Sequence, residues 1–239
     1  MNINLPLLSD RDSAVIRAFG ILNDNVPAGT PFHGVPFPGT YIVNPDGVVQ
    51  SKFFEDDYRE RFTAGAILER VYNVAGTTRT EIETKHLKLA NWASNQTVFG
   101  GSRVRLTLEI DLPKGMHVYA PGVQSSYIPI DWKIPESKAW LAFDAIYPKP
   151  RTLHLPAIKE SAPVFEGKFR LERDLTIAQA NELTSLLTSG NNLTVEAAFR
   201  YQACDDKLCY TPQTVPLKWT FTVQQSDRQR VPTELRKVN

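Results

Sequence analysis

A chain of 239 residues is long for one domain and comfortable for two. Its 42% hydrophobic and 22% charged residues are ordinary globular usage, and a formal net charge of +1 leaves no global field to draw it to nucleic acid or to an anionic membrane. No apolar run approaches the ~20 residues that cross a bilayer, and Met1 to Asp10 lacks the basic region and apolar stretch of a secretory signal. The chain is therefore expected either to be cytoplasmic or to owe its export to an upstream segment.

In chain order, residues 1–75 read as mixed α/β. Asp10 to Gly20 predicts a short helix with Val15, Ile16 and Phe19 on one face, Asp10 or Asp12 capping its free N–H groups, and Gly20 stopping it. After a Pro- and Gly-rich loop over 24–39, Thr40–Val43 and Val48–Phe54 predict two strands joined by the turn Asn44-Pro-Asp-Gly47, a β-hairpin. Tyr58 to about Val74 predicts a helix with Phe62, Ala66, Ile67 and Val71 on its apolar face. Residues 76–100 are polar and read as a linker and the lead-in to a second domain, with Gly100-Gly101 turning into its first strand.

From Ser102 the period changes to two. Val104, Leu106, Leu108 and Ile110 alternate with Arg103, Arg105, Thr107, Glu109 and Asp111, which predicts a strand with one face in a core and the other in water. Met116–Tyr119, Ile128–Ile134, Phe169–Leu175, Leu193–Tyr201 and Val215–Val223 follow, separated by turn residues, with one helix predicted over Ile177–Leu187. Seventeen prolines spread along the chain suit strands and turns better than long helices. The expected fold is mainly β: an antiparallel sandwich over 101–224, preceded by an α/β segment and followed by a polar tail over 225–239.

Two cysteines occur, five positions apart. Bridged Cα atoms lie about 4.4–6.8 Å apart, whereas five extended residues span roughly 16 Å, so the chain must fold back between them. Asp205-Asp206-Lys207 has the composition to turn there. Closing so short a ring stabilises a fold by only roughly 2 kcal/mol, and a structural bridge more usefully ties distant segments. Asp205 and Asp206 disfavour a thiolate while Lys207 favours one, so no strongly depressed thiol pKa is expected. A redox pair and a small stapled hairpin both remain open on this reading. Zinc is disfavoured, because no His lies near in sequence. His117, on a strand, reads as a core or interface residue rather than a catalyst, His33 and His86 have no partner in sequence, Trp132, Trp140 and Trp219 read as core aromatics, and no phosphate loop, dinucleotide fingerprint or metalloprotease motif is present.

Two stretches are familiar. Tyr201-Gln-Ala-Cys204 with Cys209-Tyr-Thr-Pro-Gln-Thr-Val-Pro-Leu217, and upstream Leu112-Pro-Lys-Gly-Met-His117-Val-Tyr119-Ala-Pro, resemble the amino-terminal domain of the thiol:disulfide interchange protein DsbD over roughly residues 85–223. The resemblance implies an immunoglobulin-like sandwich in the periplasm. It further implies that Cys204 and Cys209 are a dithiol passing reducing equivalents between proteins, with Cys209 favoured as the attacking residue. Tyr119, Tyr201 and Tyr210 would dock a partner or shield the pair. The implied partners are thioredoxin-fold or DsbD-like redox proteins, with no cofactor, no metal, no nucleic acid and no membrane insertion by this chain.

Leu8-Ser-Asp-Arg-Asp-Ser-Ala-Val-Ile-Arg-Ala-Phe-Gly-Ile-Leu-Asn23 and Gly34-Val-Pro-Phe-Pro-Gly-Thr-Tyr-Ile-Val-Asn-Pro-Asp-Gly-Val-Val49 resemble the second half of a thioredoxin-fold redoxin of the AhpC/TSA type. Pro38 matches that fold's cis-proline, a bond type in which cis is cheap. The cysteine-bearing half is not in this sequence, so no peroxidase is expected of it alone. The segment reads either as a remnant packed on the sandwich or as part of a redoxin–relay fusion.

Overall fold

The computed structural model describes residues 9–123, 127–155, 160–188 and 190–225. The chain divides into two compact units, Met1–Arg61 and Phe62–Asn239. The expected polar tail lies, from residue 226 on, outside the described residues.

In the first unit the helix is shorter than its sequence pattern, α1 (Ala14–Ala18). Asp10 meets its free N–H groups as expected, accepting from Val15 N at 3.3 Å and Ile16 N at 2.9 Å. The hairpin forms from β1 (Gly39–Val43) and β2 (Val49–Phe54), antiparallel. Its turn is built as the sequence predicts: Asn44 Oδ1 accepts from Asp46 N and Val48 N, and Gly47 takes a φ of 80° that only glycine adopts without strain. Tyr41 packs between Phe19 and Phe54. The peptide bond before Pro38 is trans, as are all those described, which corrects the cis-proline expectation. Trans is favoured by about 0.5–1 kcal/mol at any X–Pro bond unless the surroundings lock the other form.

The second unit starts at Phe62, the last residue of β3 (Arg61–Phe62), and continues with α2 (Ala64–Tyr72), capped by Thr63, whose hydroxyl accepts from Ala66 N. Residues 76–100 are not a linker. They form β4 (Thr80–Glu83), β5 (Lys88–Ala93) and β6 (Thr97–Phe99), because Leu89, Ala90 and Trp92 have a core to enter. The long alternating segment is β7 (Ser102–Asp111), entered through Gly101 at φ 80°. Then come β8 (His117–Tyr119), β9 (Asp131–Lys133), β10 (Trp140–Ala142), β11 (Arg151–Leu155), β12 (Glu160–Glu166) and β13 (Lys168–Ile177). The helix expected over Ile177–Leu187 shrinks to the single turn α3 (Ala180–Leu183), since Ile177 ends β13 paired with Trp140. The chain finishes with β14 (Asn192–Tyr201), β15 (Ala203–Cys204) and β16 (Gln213–Gln224).

One sheet runs β10-β13-β7-β5-β4 and another β6-β16-β14-β9, antiparallel except where β6 pairs with β16. Leu106, Leu108, Leu171 and Leu175 from the first and Val195, Phe199, Leu217 and Phe221 from the second share one buried cluster, so the two sheets stack into the expected mainly β sandwich. A third sheet, β11-β12-β8-β15, carries Cys204 at its β15 edge.

The face of β7 read as water-facing is covered. Arg105, Thr107 and Glu109 are buried, because polar partners arrive from elsewhere. Arg105 pairs with Asp174 at 2.9 Å and Glu172 at 2.6 Å. Buried Glu69 of α2 accepts from Trp92 Nε1 and Thr107 Oγ1, both at 2.6 Å. Burial pushes the Glu69 carboxyl up, against those two hydrogen bonds. Glu109 is met by Arg79 at 2.6 Å and by Lys168 and Arg170 at 2.9 Å. Burial alone would raise its pKa, but the three cations overcome it and hold the carboxyl at about 2.

A folded-state pKa below the ordinary value gives stability that is present above the ordinary range and lost on acidification. Glu109 therefore contributes least once pH falls from 4.5 toward about 2. We expect Glu109→Gln to lower unfolding stability near neutral pH by on the order of 1–2 kcal/mol, since its partners are half-exposed and screened. The variant should also lose less stability than wild type over that acid window. Urea midpoints near neutral pH and at about pH 3 check both, and parallel pH profiles would contradict them.

Candidate functional site

The chain reaches its cysteines by changing sheets. Tyr201 is still paired to Gln213 in the sandwich, whereas Ala203 and Cys204 pair with Val118 and His117 of β8. Gln202 stands between the two pairings, and its Nε2 donates to the Tyr210 carbonyl at 3.0 Å. Tyr210 N donates to the Ala203 carbonyl at 2.9 Å and Asp205 N to the Leu208 carbonyl at 3.0 Å, so the backbone folds back on itself. The sulfurs are joined at 2.00 Å with the Cα atoms 4.0 Å apart, slightly closer than the usual span of a bridge.

Asp205 ties this turn. Its Oδ1 accepts from Lys207 N at 2.8 Å and Leu208 N at 2.9 Å, and its Oδ2 from the Tyr210 hydroxyl at 2.7 Å. The Tyr210 hydroxyl and then those two amides hold the Asp205 carboxyl at about 2, and the same bond pushes the Tyr210 hydroxyl up.

The two sulfurs have unlike surroundings. Cys204 is 1% exposed and packs with Tyr119, Ala162 and Val164, while Cys209 is exposed. Tyr119 is buried, with its hydroxyl 4.0 Å from Cys209 Sγ and its ring stacked on Tyr127 at 4.3 Å. Tyr210 is half-buried and stacks on His86 at 4.1 Å. Tyr201 is not part of this surface. It is buried in the sandwich core with its hydroxyl bonded to Thr84 at 2.7 Å and Gln213 at 2.5 Å, so it docks nothing; period-two alternation turns it inward two residues before the sheet change.

Sequence reasoning left His117 as a core or interface residue. It lies opposite Cys204 in register and is buried, and its Nε2 has no hydrogen-bond partner among the described residues. Burial pushes its pKa down, against the pull of Glu166, Asp206 and Asp205. Ala162 and Val164 were missed because β12 was not predicted. For Asp205 the sequence signals the turn and a charge, but not the bond from its carboxylate to the Tyr210 hydroxyl.

The family model described as thiol:disulfide interchange protein DsbD, N-terminal, matches residues 89–219. The chain belongs to this family. Residues 1–52 match the AhpC/TSA family. Among solved structures, the N-terminal periplasmic domain of ScsB from Proteus mirabilis is 11% identical, with 60% of this chain and 51% of that one covered at a TM-score of 0.39. The reduced DsbD N-terminal domain of Neisseria meningitidis is also 11% identical, with 55% and 83% covered at a TM-score of 0.33. The chain thus spans about half the length of the ScsB domain it matches. No curated protein matches the sequence. Membership in the DsbD family and the closed Cys204–Cys209 bridge support thiol–disulfide exchange in general.

The unequal burial sets an order of reactivity. After reduction, Cys209 should be alkylated by iodoacetamide at least about tenfold faster than Cys204, because access and a solvated thiolate both favour it. Mass-spectrometric labelling time courses read this directly, and equal rates would remove the asymmetry.

Proposed function

We propose that this DsbD-family domain relays reducing equivalents between proteins through Cys204 and Cys209, and that it works in the periplasm on thioredoxin-fold partners. The observation that carries the reading is the pairing of one buried and one exposed sulfur on a hydrogen-bonded turn. Of the two cysteines, Cys209 is the residue exposed among the described residues, and so the one offered to a second protein.

In the reductive direction a partner thiolate attacks Cys209 Sγ. The partner–Cys209 bond forms as the Cys204–Cys209 bond breaks, and Cys204 leaves with the electron pair. Burial disfavours a charged Cys204, so it takes up a proton. The partner's second thiolate then attacks its own sulfur in the mixed disulfide, freeing Cys209 and leaving the partner oxidised. Two electrons have moved to this domain. Reversal delivers them: the Cys209 thiolate attacks a target disulfide, and Cys204 resolves the intermediate.

Tyr119 and Tyr210 are proposed to act differently. Tyr119 covers the sulfurs from within, and Tyr210 presents a half-buried ring beside Cys209. No described helix is long and apolar enough to cross a membrane.

Trapping tests the reading. Cys204→Ser should fold, lose turnover and accumulate a mixed disulfide through Cys209 with a thioredoxin-fold partner, whereas Cys209→Ser should accumulate none. A reduction potential above about −300 mV against glutathione belongs to an exchanging pair. A lower potential together with no trapped adduct would make the bridge a staple in a non-catalytic interaction domain.

A further inference from the structure

The residues between the cysteines are held by one side chain that touches neither sulfur. Asp205 receives both the Lys207 and Leu208 amides on one oxygen and the Tyr210 hydroxyl on the other. It thereby joins the residue after Cys204 to the residue after Cys209. Two backbone bonds, Asp205 N to the Leu208 carbonyl and Tyr210 N to the Ala203 carbonyl, close the same turn. None of these bonds uses a sulfur, so opening the disulfide removes none of them.

We propose that Asp205 is a positioning residue that presets the spacing of the two thiols and thereby sets the equilibrium between dithiol and disulfide. This rests on the reading of the pair as an exchanging one. Forming the protein disulfide against glutathione disulfide breaks the S–S bond of glutathione and makes the Cys204–Cys209 bond. Two electrons pass to glutathione, which leaves as two thiols carrying the two protons. The second step is a ring closure, and its cost is the ordering of the segment between the sulfurs. A turn already fixed by charge-assisted bonds has little left to order. The Asp205 carboxylate stays ionised throughout the neutral range, so the tie is in place wherever thiol exchange runs.

Charge and geometry make different claims on this residue. The negative charge would act by repelling a nearby thiolate, whatever the shape of the turn. Asp205→Asn removes the charge but keeps an acceptor oxygen for the two amides, and Asp205→Ala removes both. Equilibrium constants against glutathione near neutral pH, with thermal unfolding of each reduced protein as a control on the fold, separate the two. We expect Asp205→Ala to lower the constant for disulfide formation about tenfold, a shift of ~30 mV toward a more oxidising pair for two electrons. Asp205→Asn should shift it by less than half as much on a logarithmic scale, with unfolding temperatures little changed. An Asp205→Ala constant within about twofold of wild type would overturn the proposal, and so would an Asn shift as large as the Ala shift. If wild type exchanges with no thioredoxin-fold partner while Asp205→Ala still shifts the glutathione equilibrium as expected, the relay reading fails and the positioning role stands.

Discussion

The site depends on a two-residue pairing. Ala203 and Cys204 are held against Val118 and His117 by backbone hydrogen bonding in a sheet separate from the one β14 has just left. Because β8 pairs on its other side with β12, the Cys204 side of the bridge is anchored to a sheet interior. The Cys209 side hangs from a turn. A thiol pair needs one partner fixed and the other reachable, and that requirement is met by where a strand ends rather than by any special chemistry of the sulfurs.

The second sheet-level constraint is polar. β7 carries an apolar face into the sandwich and a charged face under α2 and its neighbouring strands, and burying both leaves it no side in water. The cost of taking Arg105 and Glu109 from solvent is met by direct partners: two carboxylates on Arg105, three cations on Glu109. Such networks fix register, since sliding β7 by one residue would put Arg105 into the apolar layer.

Much of this was legible in the residues. Period-two alternation located β7, β13, β14 and β16, and Asn44-Pro-Asp-Gly47 located the first hairpin, because these signals are local and strong. Strands β4, β5 and β12 were not legible. Their residues mix Thr, Glu, Lys and Pro, and they become strands only by pairing with neighbours already in place. The water-facing assignment of Arg105 and Glu109 failed for the same reason: no window of sequence records that a helix more than thirty residues earlier covers that face. At the site, the cysteine spacing announced a turn, yet Tyr201 and Tyr119 look equivalent as letters. Only the sheet change at Gln202 sends one into the core and leaves the other against the sulfurs.

Glu69 and Glu109 lie on the same covered face and answer to protons in opposite senses. Glu69, raised by burial, gives support that is complete in acid and fades as pH climbs through its folded-state value. Glu109, lowered by its cations, gives support that fades in the other direction. Acidity therefore acts on this face through two separate windows, Glu109's below 4.5 and Glu69's above it, and the two supports coincide best around the ordinary carboxylate value.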